Sequence, residues 1–185
     1  MQRRRVGMDA RPDMLVLATQ RLTLRHLVSE DLNAMFELYR DPEVRRYFPD
    51  GTRTLEETRQ ELEWFRHGHP RHPRLGLWAT VERSSGAFLG RCGLLPWEIE
   101  GRHEVELAFL IDKSRWGEGF GSEAATGIAK HARVVLGIQR LVCLITPGNS
   151  ASIRVAQKVG MSFEREVTDE HGLCHVYSST SSPTH

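Results

Sequence analysis

The sequence contains few cysteines and no long apolar run, and each shortage excludes a class of protein. Its three cysteines, Cys92, Cys143 and Cys174, are odd in number and form no Cys-x-x-Cys pair. A disulfide framework and a cysteine-ligated zinc site are therefore both disfavoured. No apolar stretch approaches the roughly 18 residues of a membrane-spanning helix. We expect a protein of the reducing cytoplasm that does not bind membranes.

The sequence also lacks an excess of charge. Lysine and arginine total 25, aspartate and glutamate total 24, and the formal net charge is +1. Without a bulk positive charge, nucleic acid is not attracted at long range, so we expect no nucleic-acid partner unless basic residues cluster locally. Residues 1–14 are basic, but no apolar stretch with a cleavage site follows them, so they are not a secretory signal. We expect residues 1–14 to form a disordered tail.

Length and composition indicate one globular domain. The chain has 185 residues, enough for one core and too few for two ordinary domains. Hydrophobic residues make up 39% and charged residues 26%, which is typical of a folded soluble protein. No internal repeat and no linker rich in proline or glycine interrupts it. We expect a single domain over residues 15–180 and a frayed C-terminus at 181–185.

The hydrophobic pattern predicts a mixed α/β fold. Residues 21–25 alternate polar and apolar, as a half-buried strand does, and Pro96 is expected to bend the chain away after the third strand. Thr54 and Glu57 have the spacing of a capping box ahead of a helix. The predicted strands are 21–25, 75–82, 87–95, 105–111, 140–146, 162–167 and 173–178, and the predicted helices are about 32–39, 55–65, 122–136 and 150–159. This order predicts a sheet of about seven strands flanked by about four helices.

A glycine-rich segment, residues 116–122, lies between a predicted strand and a predicted helix, and we call it the glycine loop. Gly117, Gly119 and Gly121 allow sharp turns and remove side chains that would block a ligand. The helix that follows begins with unpaired N–H groups and the positive end of its dipole, which suits a phosphate or diphosphate. The dinucleotide and P-loop fingerprints are not met. Taken alone, the loop is equally compatible with a tight connection that binds nothing.

The glycine loop resembles the acyl-coenzyme A loop of the GNAT N-acetyltransferases, whose pattern is Gln/Arg-x-x-Gly-x-Gly/Ala. Gly119 and Gly121 match the two glycines, and Trp116 stands where the Gln or Arg would be. Residues 149–152 and 158–161, Asn-Ser-Ala-Ser and Lys-Val-Gly-Met, resemble the Asn-x-x-Ser and Lys-x-Gly-Phe of the branch that includes the ribosomal-protein N-terminal acetyltransferases. The resemblance covers roughly residues 15–180.

The resemblance implies a fold and a co-substrate. The sheet would be mostly antiparallel and splayed between its fourth and fifth strands, 105–111 and 140–146. The co-substrate would be acetyl-CoA, with no metal. Its diphosphate would rest on the main chain of the glycine loop, and its pantetheine arm would run along the strand before it. The implied cofactor contacts are Phe109, Leu110, Ile111, Trp116, Gly117, Glu118, Gly119, Phe120, Gly121, Ser122 and Ser152, with Asn149 either contacting the cofactor or capping the short helix.

The implied chemistry is direct transfer, in which a neutral amine attacks the thioester and a thiolate leaves. A general base must remove a proton from the ammonium. Glu106 is the first candidate, because the family places an acid or a water-binding residue in this strand and partial burial would raise its pKa. Glu104, on the same face, is the second. For either residue, a solvated strand carboxylate is the alternative.

The general acid is less clearly marked. Many members of the wider superfamily carry a tyrosine on the short helix, but the matching residue here is Ala156. We expect Ser152, acting through a water, to be the substitute, although a thiolate can also leave without a dedicated acid. Tyr177 is either a cleft residue or an ordinary sheet aromatic. Cys143, inside an apolar run, is interpreted as a core residue.

Two other groups stand out. His67, His69 and His72 could bind a metal, but no paired cysteine or His-Glu-x-x-His spacing supports this, so a solvated loop is favoured. Tyr47 and Phe48 are candidates for an aromatic contact with the acceptor and could equally belong to the core.

Together these features predict an acetyl-CoA-dependent N-acetyltransferase that acts on a primary amine. A protein or peptide N-terminus is the leading acceptor and a small amine the second. The alternative is a non-catalytic acyl-CoA-binding module or sensor. Homodimers are common among such enzymes, and the sequence is compatible with a monomer or a homodimer.

Overall fold

The computed structural model describes residues 14–169 and 172–180. The tail expected at residues 1–14 lies, apart from Met14, outside the described residues. The frayed end expected at 181–185 and the tip of the last predicted hairpin also lie outside them.

The strands and helices of the described chain follow the predicted order, with one additional strand at the start. The strands are β1 (Leu15–Ala18), β2 (Leu22–Arg25), β3 (Gly76–Glu82), β4 (Phe88–Ile99), β5 (Arg102–Ile111), β6 (Arg140–Ile145), β7 (Ser162–Asp169) and β8 (Gly172–Thr180). The α-helices are α1 (Leu32–Tyr39), α2 (Leu55–Phe65), α3 (Phe120–Val134) and α4 (Ser150–Lys158). The capping box ahead of α2 is confirmed, since the Thr54 side chain accepts from the Glu57 N–H and Glu57 accepts from the Thr54 N–H.

All the strands form one sheet in the order β1-β2-β3-β4-β5-β6-β8-β7. Every neighbouring pair is antiparallel except β5 and β6, which are parallel. The mixed, mostly antiparallel fold is confirmed, with one strand more than the predicted seven. The additional strand is β1, which pairs with β2 across a tight turn where the Thr19 N–H donates to the Leu22 carbonyl at 2.9 Å. Four apolar residues in a row show no alternation, so the pattern did not reveal this strand.

The prediction that Pro96 bends the chain away was wrong. β4 continues to Ile99, with Pro96 opposite Val105. Pairing between β3 and β4 ends at Leu94, so beyond that point β4 is an edge and the missing N–H of proline leaves no ladder bond unmade. The hairpin turns instead at Glu100 and Gly101, whose φ angles of 50° and 75° suit a tight hairpin turn.

Two apolar layers cover the two faces of the sheet. α3 and α4 pack on one face, where Leu107, Phe109 and Ile111 of β5 meet Phe120 and other helix residues. α1 and α2 pack on the other face, which the intervening residues Ala108 and Leu110 share. Since side chains alternate along a strand, Glu104 and Glu106 belong to the α1/α2 face.

The sheet is splayed between β5 and β6. These two strands share a single paired position, Glu106 opposite Val142, whereas β6 and β8 pair at six positions from Arg140 to Ile145. Beyond this position the C-terminal part of β5 (107–111) and that of β6 (143–145) face each other across a gap, which we call the wedge. The predicted splay between the fourth and fifth predicted strands is therefore confirmed.

Candidate active site

The glycine loop crosses the mouth of the wedge and turns sharply into α3. Gly117 and Gly119 have φ angles of 83° and 84°, a left-handed conformation that strains a residue with a Cβ atom. Gly119 is the N-cap residue of α3, and no side chain caps this helix. The first N–H that bonds within the helix belongs to Glu123, which donates to the Gly119 carbonyl at 3.0 Å. The N–H groups of residues 120–122 therefore have no partner inside the helix and form the cradle expected for an anion.

Gly121 lines the passage between the end of β5 and α4. A Cβ atom at this position would lie 3.8 Å from Ile111 Cγ1 and 3.8 Å from Val155 Cγ2. The space for one methyl group is open, but a branched side chain would extend into the passage. The second glycine of the motif therefore keeps the entrance of the wedge clear.

Residues from outside the loop hold it in place. The Glu123 carboxylate accepts from Thr19 Oγ1 at 2.6 Å and from the N–H and Nε of Arg21, both at 2.7 Å. Burial opposes ionisation, but these hydrogen bonds outweigh it and hold the pKa of Glu123 below its ordinary value. Arg21 also lies 4.2 Å from the Phe120 ring centre, and Arg115 lies 4.7 Å from it on the loop side. The motif did not indicate any of these supporting contacts.

Two of the predicted cofactor contacts have side chains that are already engaged. The Phe120 ring is buried in the core, and Glu118 forms an ion pair with Arg115 at 2.9 Å. These residues can therefore contact a ligand in the cradle through their main chain, which is how the resemblance used them.

One edge of β5 faces the wedge. The Cys143 thiol donates to the Leu107 carbonyl at 3.3 Å, and the Trp116 indole N–H donates to the Ile111 carbonyl at 2.7 Å. Alternation along the strand places the main-chain groups of Phe109 on the same edge. The Leu110 carbonyl points the other way, because a Cβ atom at Gly90 of β4 would lie 2.0 Å from it. Of the three predicted pantetheine contacts, Phe109 and Ile111 thus have main-chain groups on the edge that faces the wedge, and the Ile111 carbonyl already accepts from Trp116.

The start of α4 shows what Asn149 does. Its Oδ1 accepts from the Ser152 N–H at 3.1 Å, which is an N-cap bond. Of the two roles considered for Asn149, capping is observed, and contact with the cofactor stays a prediction. Ser152 is half-buried in the first turn of α4, while Ala156 is fully buried in the core.

The loop between α1 and α2 is anchored on both sides of the wedge. Tyr47 donates its hydroxyl to the Gly148 carbonyl at 3.0 Å, after the end of β6. Lys113, after the end of β5, forms an ion pair with Asp41 at 2.7 Å. Phe48 packs against the core on the α1/α2 face. This loop therefore lies across the open end of the wedge on the side that faces α1 and α2.

Glu106 lies at the paired position where the wedge begins. Its carboxylate is half-buried, and Oε2 accepts from the Trp97 indole N–H at 2.6 Å. Burial raises the pKa of Glu106, and the Trp97 hydrogen bond, the Arg91 charge and the Leu144 N–H oppose that rise in part. A carboxyl group whose pKa is raised by burial has the property required of a general base near neutral pH.

Glu104 has a different environment. It is 5% exposed and accepts from Arg140 Nε and Nη2, both at 2.9 Å. Arg140 also pairs with Glu164 at 2.9 Å. Both oxygens of the Glu104 carboxylate accept from one guanidinium, so this carboxylate is engaged and is not directed at an acceptor amine. We therefore propose a structural role for Glu104 rather than the second-candidate role of base.

Replacing Glu104 with glutamine should lower stability and leave turnover intact. The variant leaves Arg140 half-paired in a part-buried site, so we expect a loss of about 2 kcal/mol in the free energy of unfolding by urea. Glu164→Gln is the matched control, because it faces the same arginine from a more exposed position and should cost less than about 1 kcal/mol. A large fall in kcat for Glu104→Gln at unchanged stability would instead make Glu104 the base.

The remaining predicted groups lie away from the wedge or in the core. Cys143 is a buried core residue, as interpreted, and Tyr177, for which two roles were considered, is a buried aromatic of the sheet that packs in the core. His69 is only 9% exposed and stacks on His72 with ring centres 5.6 Å apart, so the solvated-loop interpretation was wrong for that histidine. Among residues 14–169 and 172–180, no group of histidine, cysteine or acidic side chains is arranged to hold a metal ion. In the same part of the chain, no helix has the length and apolarity needed to cross a bilayer.

A sheet opened at one parallel strand pair, with an uncapped glycine-rich helix start at its mouth, is the arrangement expected of an acyl-coenzyme A acetyltransferase domain. The chain belongs to the GNAT acetyltransferase family, since residues 21–162 match the family model described as Acetyltransferase (GNAT) domain.

The chain is also similar to known proteins in sequence and in fold. The chain is 31% identical to the uncharacterized protein YkkB of Bacillus subtilis, over 89% of this chain and 95% of YkkB. Among solved structures it is similar to RimL, a ribosomal L7/L12 alpha-N-protein acetyltransferase in complex with coenzyme A (TM-score 0.74, 17% identity, 90% of this chain and 97% of RimL). It is also similar to spermidine N-acetyltransferase from Vibrio cholerae in complex with coenzyme A and spermine (TM-score 0.71, 16% identity, 88% and 96%). At these identities the two structures show a shared fold and do not select a branch of the family.

Proposed function

We propose that this protein is an N-acetyltransferase that moves an acetyl group from acetyl-CoA to a primary amine. The observation that carries the proposal is the wedge, which has unpaired N–H groups at its mouth and a half-buried carboxylate at its closed end. No other arrangement in the described residues combines an anion cradle with a candidate base. The coenzyme A bound in both structural neighbours supports the same co-substrate.

The co-substrate would lie along three parts of the site. The N–H groups of residues 120–122 would bind the diphosphate, helped by the positive end of the α3 dipole. The pantetheine amides would bond to the main chain of Phe109, on the strand edge that faces the wedge. The Ile111 carbonyl, already bonded to Trp116, has a second lone pair for the same purpose. This path brings the thioester towards Glu106.

Glu106 would act as the general base, directly or through one water. It takes a proton from the acceptor ammonium, and the neutral amine then attacks the thioester carbonyl carbon. A C–N bond forms, the C–S bond breaks, and the nitrogen loses its second proton as the thiolate leaves. Ser152, half-buried at the start of α4, would relay that second proton to the thiolate through a water, and Glu106 would release the first proton to solvent. The products are the N-acetylated amine and free coenzyme A.

The acceptor would enter from the α1/α2 face, because Glu106 belongs to that face. There the loop that carries Tyr47 and Phe48 lies across the opening. A protein or peptide N-terminus is the leading acceptor and a small amine the second, and the two structural neighbours act on one of each kind by their names.

Two measurements test the proposal in sequence. Acetyl-CoA should raise the melting temperature of the protein, and a panel of peptides and small amines should then be screened for release of the coenzyme A thiol. Thiol release that depends on an amine supports the enzyme. A melting temperature raised by acetyl-CoA without thiol release from any amine would favour the non-catalytic acyl-CoA-binding module instead.

A further inference from the structure

Trp97 is a tryptophan with an exposed ring and an engaged N–H group. It is 45% exposed near the end of β4, beyond the last residue that pairs with β3. Its indole N–H nevertheless points at the candidate base, with Nε1 2.6 Å from Glu106 Oε2. Because nearly half of the Trp97 side chain is exposed, hydrophobic burial stabilises it little at this position. The hydrogen bond to the carboxylate is the main contact of the indole.

The strand register explains why these two side chains meet. Trp97 is directly opposite Glu104, and Leu95 is directly opposite Glu106. Trp97 and Glu106 are therefore diagonal neighbours on one face of an antiparallel pair, within reach of a long side chain. Arg140 approaches Glu104 from β6 and occupies its carboxylate. The Trp97 N–H is thus directed to the one carboxylate of the pair that the arginine does not hold.

We propose that Trp97 is a positioning residue that holds the Glu106 carboxylate at the closed end of the wedge. This inference rests on the proposed function, since it takes Glu106 to be the base. Trp97 holds the carboxylate from β4, and the Leu144 N–H faces it from β6. Each carboxylate oxygen has two lone pairs, so these bonds leave room to accept a proton from the acceptor or from a water.

The other charged and titratable groups around Glu106 are buried or already have partners of their own. On β4, Arg91 faces it and is bonded through Nε to the Tyr39 hydroxyl of α1 at 2.7 Å, while Glu61 of α2 lies 3.9 Å from the same nitrogen. On β6, the Cys143 thiol is buried and its pKa is raised well above the ordinary value by burial and by Glu106. On β5, Glu104 is neutralised by Arg140.

These surroundings predict how the pKa of Glu106 changes when the Trp97 N–H is removed. Burial raises the pKa of Glu106, and the Trp97 bond is the strongest of the contributions that lower it. Loss of the N–H donor should therefore raise the pKa of Glu106 further. Since the base must be ionised, the acid limb of kcat/KM should move to higher pH.

The experiment compares two replacements of Trp97 across a pH series. Trp97→Phe keeps an aromatic ring and removes the donor, and it should move the acid limb of kcat/KM upwards by about one pH unit. Trp97→Gln removes the ring but carries an N–H donor at the same number of bonds from Cα, and it should bring the limb back towards that of the wild type. Trp64→Phe, on α2, is the control, because Trp64 is also exposed (57%) and lies outside the site. Its limb should not move.

Two results would overturn the positioning role while leaving the proposed function in place. One is an unmoved limb in a folded Trp97→Phe enzyme, and the other is an equal shift in the Phe and Gln variants. If the Phe variant does not fold, the indole N–H resonance of Trp97 in the wild-type protein decides. It should titrate over the pH range of the activity limb and stop titrating in Glu106→Gln, and an indole signal that ignores pH would refute the contact. A wild-type protein that acetylates no amine would instead overturn the proposed function, and the positioning role with it.

Discussion

Replacement of Gly121 by valine is expected to weaken the binding of acetyl-CoA strongly while leaving the fold intact. Gly121 adopts helical geometry, so a side chain causes no backbone strain. The two methyl groups of valine, however, extend beyond the Cβ position that already lies 3.8 Å from Ile111 and Val155. They would fill the passage between β5 and α4 and move the diphosphate away from the N–H groups of α3. Loss of about two charge-assisted hydrogen bonds corresponds to a Kd raised at least about 100-fold.

Gly121→Ala provides the matched control. Its single methyl group would be in ordinary van der Waals contact with Ile111 and Val155, and alanine favours a helix more than glycine does. We expect the alanine variant to bind acetyl-CoA within about tenfold of the wild type and to melt no earlier. Isothermal titration and thermal unfolding without ligand measure the two quantities. Wild-type affinity in a folded valine variant would show that the co-substrate takes another path.

The parts of the fold that the sequence predicted well depend on local chemistry. The capping box at Thr54 and the glycine loop ahead of α3 are determined by neighbouring residues, so a short pattern reveals them. The parts that were missed depend on strand register. Trp97 meets Glu106, and Arg140 meets Glu104, only because β4, β5 and β6 align in one particular way.

The same distinction explains why the two candidate bases could not be ranked firmly in advance. Glu104 and Glu106 are two residues apart on one strand and share a face, so the pattern treats them alike. Their environments differ through partners that are distant in the chain. Arg140 bonds to both oxygens of Glu104, whereas burial raises the pKa of Glu106. The resemblance to a family pointed to this strand, and the contacts across the sheet separate the two residues.

Glu106→Gln is expected to lower kcat by about 100- to 10,000-fold, the usual contribution of a general base. Glutamine has the same shape and its amide oxygen can still accept from Trp97, but it cannot take a proton from the acceptor. Glu98→Gln is the matched control, since Glu98 is an exposed acid on the same hairpin and its replacement should leave kcat unchanged. Steady-state thiol release measures both variants.

The pH dependence of kcat/KM is a second, independent test of Glu106 as the base. A base must be ionised, and burial raises the pKa of Glu106. As pH is lowered, wild-type kcat/KM should therefore begin to fall at a higher pH than it would with an ordinary glutamate as the base. The glutamine variant should lack this limb. The contribution of Glu106 to the free energy of unfolding should change in the opposite direction to kcat/KM, because it falls as the pH rises. A carboxyl group with a raised folded-state pKa contributes most below its unfolded-state pKa, and that contribution is lost as pH rises through the folded-state pKa.

Above that range the wild-type protein carries the cost of a buried charge that the glutamine variant lacks. The variant should therefore unfold no more readily than the wild type at neutral pH, so that its lost activity cannot be attributed to unfolding. A glutamine variant that retains both the turnover and the acid limb of the wild type would assign the base to another group. Because the same substitution is predicted to reduce activity and to preserve or raise stability, a structural role for Glu106 and a catalytic one lead to opposite results.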